Sequence, residues 1–325
     1  MERRIKKIGI LLIAILFFQL ATTASANQIS QSSKKYLIVD KSGNGDYISI
    51  QKAIDNAKSG STIYIKNGEY TEVIKIEKKI ILKGENKEET IINPTSKKNK
   101  YAVLVSASEC VIESLTIKNR GPGLYTSAIR ITADNNKIVN CNILDTPVGI
   151  TVWSSNNIID DCYFSGCKDE GIALIGSTHF KCDNNEIKNS IFYNNGDGIE
   201  LQLSSGNTIS DCEFYDNTHT GIDAIRELNN RNIISDCEIY NNEVHGIYFV
   251  NSNDNQIIDC EIYDNKIYNV VFNKNSNNNI VTRSTANRFS EKIQLIKQNL
   301  IRLLSEKLSI LNSSEIIEKL NLIGF

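Results

Sequence analysis

One frame recurs through the middle of the chain and limits what it can fold into. Asn at 136, 157, 185, 207, 232, 255 and 278 is followed two residues later by Ile138, Ile159, Ile187, Ile209, Ile234, Ile257 and Ile280. Three residues on come Cys141, Cys162, Ser190, Cys212, Cys237 and Cys260, and two beyond these Ile143, Phe164, Phe192, Phe214, Ile239 and Ile262. Gly-Ile then appears at 149, 171, 198, 221 and 246. The period is 21 to 28 residues, the size of one stacked supersecondary unit. Within each unit apolar residues alternate, as a strand with one buried face requires. Asn, Gly, Asp and Ser separate these short strands, with no helix-length pattern between them. Parallel strands repeating without intervening helices predict a parallel β-helix, each coil ~4.8 Å above the last.

The units "NxIxxCxI…GI" resemble the repeats of right-handed parallel β-helix proteins of the pectin-lyase-like superfamily, from about Tyr36 to Ser284. The resemblance implies an all-β, single-stranded solenoid with a short N-terminal capping helix and C-terminal α-helices. The stretch "GNGDYISIQKAIDNAKSGSTIYIKNGEYTEVIKI" is similar to the N-terminal entry of pectinesterases and of NosD-type periplasmic β-helices. In it Ser49 caps a helix with Ile50, Ala53, Ile54 and Ala57 on one face, and Gly60 stops it. Such a helix is expected to plug the open end of the stack and hide its edge strands.

The ends read differently. A basic "MERRIKK", the apolar "IGILLIAILFFQLA" and "ASA" at 24–26 have the form of a secretory signal peptide, residues 1–26, too short for a membrane span. Residues 27–35 read as a linker, 36–284 as the β-helix domain and 285–325 as a helical cap or docking segment. In that last segment Ile293, Ile296, Leu300, Leu303, Leu304, Leu308 and Leu311 share a helical face behind a capping Ser290, and a second short helix follows Asn312. Its alternatives are a cap on the last coil or a contact for a partner or membrane surface. The formal net charge is −2, which argues against nucleic acid as a partner, since that needs a basic footprint.

Stacking gives the repeated residues jobs. The Asn column is expected to form an asparagine ladder, amide to amide between coils; solvated turn Asn is the alternative. The eight cysteines lack metal-site spacing. Most lie in an inward column, where parallel Cβ vectors disfavour disulfides and a buried free thiol serves as small apolar filler. Cys167 and Cys182 lie off that column and are left open to pairing.

Counting outward from each Gly-Ile gives three rows on one sheet. The first reads Arg130, Thr151, Ala173, Glu200, Asp223, Tyr248, Val271. The second reads Thr132, Trp153, Ile175, Gln202, Ile225, Val250, Asn273. The row before Gly reads Val148, Glu170, Asp197, Thr220, His245, Tyr268. Acids gather in the middle coils at Glu170, Asp197, Glu200 and Asp223, bordered by His219, His245, Tyr248 and Arg226. Like charges at coil spacing repel, so an ion or a ligand is expected to balance them.

The strip resembles the strand face on which polysaccharide enzymes of this superfamily keep their active sites. Three readings follow. Asp197, Glu200 and Asp223 hold Ca²⁺, which takes oxygen ligands, with Arg226, His245 or Tyr248 moving protons in a β-elimination. Or Glu200 and Asp223 act as a glycosidase pair. Or the strip is a solvated acidic face. Trp153, Gln202, Arg130 and Glu170 are the expected sugar contacts. His179, on the longer coil with Cys182, is expected to wall one side of a groove.

"GIDAI" at 221–225 is similar to the pectinesterase G-x-V-D-F-I-F-G at Gly221, Asp223 and Ile225, which implies a nucleophilic Asp223; the pectinesterase L-G-R-P-W segment has no counterpart. The polygalacturonase motifs and the epimerase D-P-H-D are also absent. The chain is expected to be secreted, extracellular or periplasmic, and to bind or cleave a polysaccharide, with lyase ahead of hydrolase. The alternatives are a non-catalytic surface adhesin and a NosD-like accessory protein.

Overall fold

The computed structural model describes residues 36–285, apart from 96, 97, 122, 124, 125 and 274. Short parallel strands succeed one another around each coil and stack into three sheets of eleven, nine and nine strands. In each sheet the spatial neighbours come from successive coils, so the topology is a solenoid. The inward positions close into one continuous core, from Leu37 and Val39 to Ile257 and Ile262. Phe164, Phe192 and Phe214 stack in its middle with ring centroids 4.7 and 4.6 Å apart, close to the strand spacing that sets them.

The Gly of each Gly-Ile is required by the tightness of this stack. A Cβ at Gly198 would lie 2.4 Å from the Gly221 carbonyl oxygen and 2.5 Å from Phe214 Cδ1. The turns bring Asn and Asp into left-handed backbone, among them Asn156 at φ 59°, Asp211 at φ 52° and Asn241 at φ 55°, which their short polar side chains tolerate.

Between coils, the Asn157 amide donates to Asn185 Oδ1 at 3.1 Å, Asn207 to Asn232 at 2.9 Å and Asn232 to Asn255 at 3.2 Å. The row ends on Asn279, not Asn278. A second row, Asn195, Asn217, Asn242 and Asn265, runs down another corner; Asn217 donates to Asn242 and Asn242 to Asn265, both at 2.8 Å. All eight cysteines are buried and free, Cys167 and Cys182 included. The column thiols donate to backbone carbonyls, as Cys212 Sγ does to Ser210 at 3.1 Å.

The helix Ile50–Asn56 buries Ile50, Ala53 and Ile54 against the first coils. Ser49 Oγ accepts from Lys52 N at 3.2 Å. Its first turn is also held by Glu72, whose carboxylate accepts from the backbone N–H of Ile50 and Gln51 at 2.7 and 3.0 Å. The expected signal peptide, linker and C-terminal helices fall outside the described residues, apart from Thr285. Among the described residues no helix is long and apolar enough to cross a membrane.

Candidate functional site

The strands Ser127–Ile131, Val148–Val152, Glu170–Ile175, Asp197–Gln202, Ile222–Ala224 and His245–Phe249 lie side by side in one nine-stranded sheet. Their register aligns Arg130, Thr151, Ala173, Glu200, Asp223 and Tyr248 in one row. It also sets Glu170 opposite Asp197 and Ile175 opposite Gln202. The first row counted from the sequence is therefore a row of the sheet, and the other two match it at these pairs.

Their environment differs from a solvated face. Asp223 is 4% exposed, Glu170 7% and Asp197 9%, and Arg130 and Gln202 are buried with them. Neighbouring outward side chains fill the strip, so these carboxyls are desolvated as well as crowded. For Glu170 and Asp223 both effects oppose ionisation.

Two groups form. The first is a cleft of about 250 Å³ lined by Arg130, Trp153, Glu170, Glu200, Gln202 and Arg226, together with Asp169. The Arg130 guanidinium lies 4.6 Å from the centre of the Trp153 ring and 5.8 Å from that of Tyr101. Phe180, on the longer coil, packs beside Trp153 with centroids 6.1 Å apart, while the exposed His179 is not among the residues that line the cleft. At the other end Arg226, in left-handed backbone at φ 64°, covers Gln202. With the Gln202 amide oxygen turned toward it, that oxygen accepts from Nη1 and Nη2 at 3.0 and 3.1 Å and from Nε. The floor carries Glu170 and Glu200, hydrogen-bonded to each other. Burial first, then the charges of Glu200 and Asp169, push Glu170 up to about 10. Burial raises Glu200 too, but the bond from Glu170 favours its charged form. Of the two, Glu170 is the one whose protonated form the surroundings favour more.

The second group adjoins the first. His219 Nδ1 lies 2.7 Å from Asp197 Oδ1 and 3.8 Å from Asp223 Oδ2. The Thr220 N–H donates to the same Asp197 oxygen at 2.6 Å. The Asp197 bond raises the His219 pKa against its burial; burial and the Asp197 charge push Asp223 up to about 7. Donor atoms of Asp197, His219 and Asp223 all lie within 4.8 Å of one another. Of the carboxylate trio expected to hold Ca²⁺, Asp197 and Asp223 meet here, whereas Glu200 is engaged with Glu170. A nitrogen donor stands in the third place.

His245 and Tyr248 are brought together one coil further on, with centroids 5.2 Å apart, and His245 also stacks on Tyr268. Neither lines the cleft. Burial, then the nearby His219, lowers the His245 pKa. Sequence reasoning passed over Asp169, which precedes the first of the acids and whose pKa burial raises, and it left His219 on the border. The spacing Asp197, His219, Asp223 was readable, but the bend that folds His219 back over the sheet was not.

Stacked parallel coils with a crowded, desolvated strip on one sheet define a right-handed parallel β-helix protein of the pectin-lyase-like superfamily. The chain belongs to the family described as the right handed beta helix region, whose model matches residues 78–227 and 148–299. It is 27% identical over 174 residues to pectinesterase 31 of Arabidopsis thaliana, covering 44% of this chain and 55% of that protein. Against the curated relatives it matches, the chain spans between 54% and 64% of their length. Among solved structures, a mannuronic acid specific polysaccharide family 6 lyase from human gut microbiota superposes with TM-score 0.56 and 15% identity, over 71% of this chain and 63% of that one. Tailspike protein 2 of an Escherichia coli O157:H7 bacteriophage gives TM-score 0.56 and 13% identity, over 71% and 36%. At these identities the structural likeness is one of fold.

Proposed function

We propose that the chain binds an acidic polysaccharide across the cleft and cleaves it by β-elimination. The observation that carries this reading is the hydrogen-bonded pair Glu170 and Glu200 on the floor of a cleft walled by Trp153, Arg130 and Arg226. Trp153 offers a ring face for a sugar, and the two guanidinium groups suit the carboxylates of uronate units. In the reaction Glu200 takes the proton α to the uronate carboxylate. The electron pair forms the new C=C bond as the glycosidic C–O bond breaks, and Glu170 delivers its proton to the leaving oxygen. The proton then returns from Glu200 to Glu170 through their shared hydrogen bond, which resets the site.

Hydrolysis is the second reading: Glu200 and Asp223 stand on adjacent strands in one row, and retaining glycosidases hold their carboxyls roughly 5–5.5 Å apart. Pectinesterase relatives and a mannuronic acid specific lyase of the same fold support polyuronates as the class to try first. Export, implied by residues 1–26, suits a polymer outside the cell.

Polygalacturonate and alginate serve as probes, with unsaturated-product absorbance and new reducing ends read together. Absorbance and reducing ends should rise in step, and Glu200→Gln should lower the rate at least about 100-fold. Reducing ends without absorbance would mean hydrolysis; binding without either would leave a non-catalytic glycan receptor.

A further inference from the structure

The geometry points to a binding site for a divalent first-row transition cation, of the zinc and manganese class, at Asp197, His219 and Asp223. Three observations carry it. The first is the donor set. Two carboxylates and an imidazole nitrogen face one another with all donor atoms within 4.8 Å. Neighbouring donors around a tetrahedral ion with bonds of ~2.0–2.1 Å sit roughly 3.3 Å apart. The 2.7 Å and 3.8 Å separations of His219 Nδ1 from the two aspartates bracket that value.

The second is unmet polar capacity in the same place. Asp223 is 4% exposed, and its Oδ1 has no protein partner among the described residues. Thr220, wholly buried beside His219, has an unpartnered Oγ1, and His245 Nδ1 in the next coil is buried and unpartnered as well. Buried polar atoms without partners are few in a native fold and call for an ion or water. Here they lie on the donor residue Asp223 itself and on Thr220, the chain neighbour of the donor His219.

The third is charge. Asp169, Glu170, Asp197, Glu200 and Asp223 crowd one strip, and Arg130 and Arg226 both stand on the cleft side of it. A dication between Asp197 and Asp223 would offset the part of this charge that the arginines do not reach. A nitrogen ligand and only two carboxylates are a poor match for Ca²⁺, which takes 6–8 oxygens; imidazole with carboxylate suits zinc or manganese. The turn residue His219 is half exposed, which leaves the ion a way in.

The site stands apart from the glycan reading, because cation binding is measured with no glycan present. The full chain is stripped with chelator, and Zn²⁺, Mn²⁺ and Ca²⁺ are titrated separately by calorimetry, with melting temperature followed in parallel. Zn²⁺ or Mn²⁺ should bind one per chain and raise the melting temperature, at least tenfold more tightly than Ca²⁺. His219→Ala should weaken that binding at least about 100-fold, while Glu200→Gln leaves it within about threefold. His219 lies at the surface, so its variant is expected to fold; circular dichroism checks this, and Asp223→Asn provides a second loss-of-ligand variant. Three results overturn the site: no saturable binding of any ion, equal binding by wild type and both ligand variants, or Ca²⁺ binding that is lost in Glu200→Gln and kept in His219→Ala.

Discussion

Glu170 shows what burial does to a single side chain in this strip. Its carboxyl is pushed up to about 10, by desolvation first and by Glu200 next. A carboxyl whose folded pKa lies above its unfolded value favours folding most below the unfolded value of about 4.3. That contribution is lost as pH rises toward the folded value. Stability should therefore fall between about pH 4 and 10 to the extent that Glu170 governs it. Glu170→Gln, which cannot ionise, should be more stable than wild type at pH 8, by on the order of 1 kcal/mol, with a smaller gain at pH 4. Chemical denaturation at the two pH values checks this; equal midpoints at both would remove the buried-acid account. At this scale the sequence was informative about position and silent about environment. Counting by twos from Gly198 and Gly221 placed Glu200 beside Asp223, because strand alternation is strict. Nothing in the count revealed that Arg226 bends back over Gln202 or that Glu200 turns to Glu170.

The coil is the element whose logic was most legible. Asn207, Asn232 and Asn255 recur because each meets its counterpart one coil away. Asn232 Oδ1 accepts from both the backbone N–H and the amide of Asn207, at 2.9 Å each. Its own amide reaches Ser204 O and Asn255 Oδ1. Asn232→Leu should strand the Asn207 N–H in the core and cost roughly 2–4 kcal/mol. A melting temperature within error of wild type would show that these bonds exchange freely with water. The second row, Asn195 to Asn265, escaped notice although its cue, Tyr-x-Asn, stands at 193, 215, 240 and 263. The Tyr half of that cue makes an outer stack of its own, with Tyr215, Tyr240 and Tyr263 about 5 Å apart. The helix Ile50–Asn56 was readable from its apolar face, while its clasp by Glu72 depends on a loop that only the folded coil brings near.

Across the whole molecule the cysteines test the solenoid. Eight free thiols lie in the interior, so a thiol reagent should label few in the native protein and all eight after denaturation without reductant. Eight unreactive residues in the denatured, unreduced chain would mean a stapled stack instead. The Asn-x-Ile repeat marked where the strands run from about 136 onward, because one period governs them, while the strands before it rested on the resemblance of the entry segment. The repeat had nothing to say about the segments on either side, which lack it. The glycine column, finally, makes every coil lean on the next at backbone distance, so order in one coil depends on its immediate neighbours. Such a column frays from its ends like a rope, and the coils carrying Glu170, Glu200 and Asp223 are sheltered by at least two others on each side. In hydrogen exchange the amides of Asp197–Gln202 should outlast those of Ile280–Thr282. The strip would keep its shape while the last coils come and go, so changes of length at the ends would leave the cleft untouched.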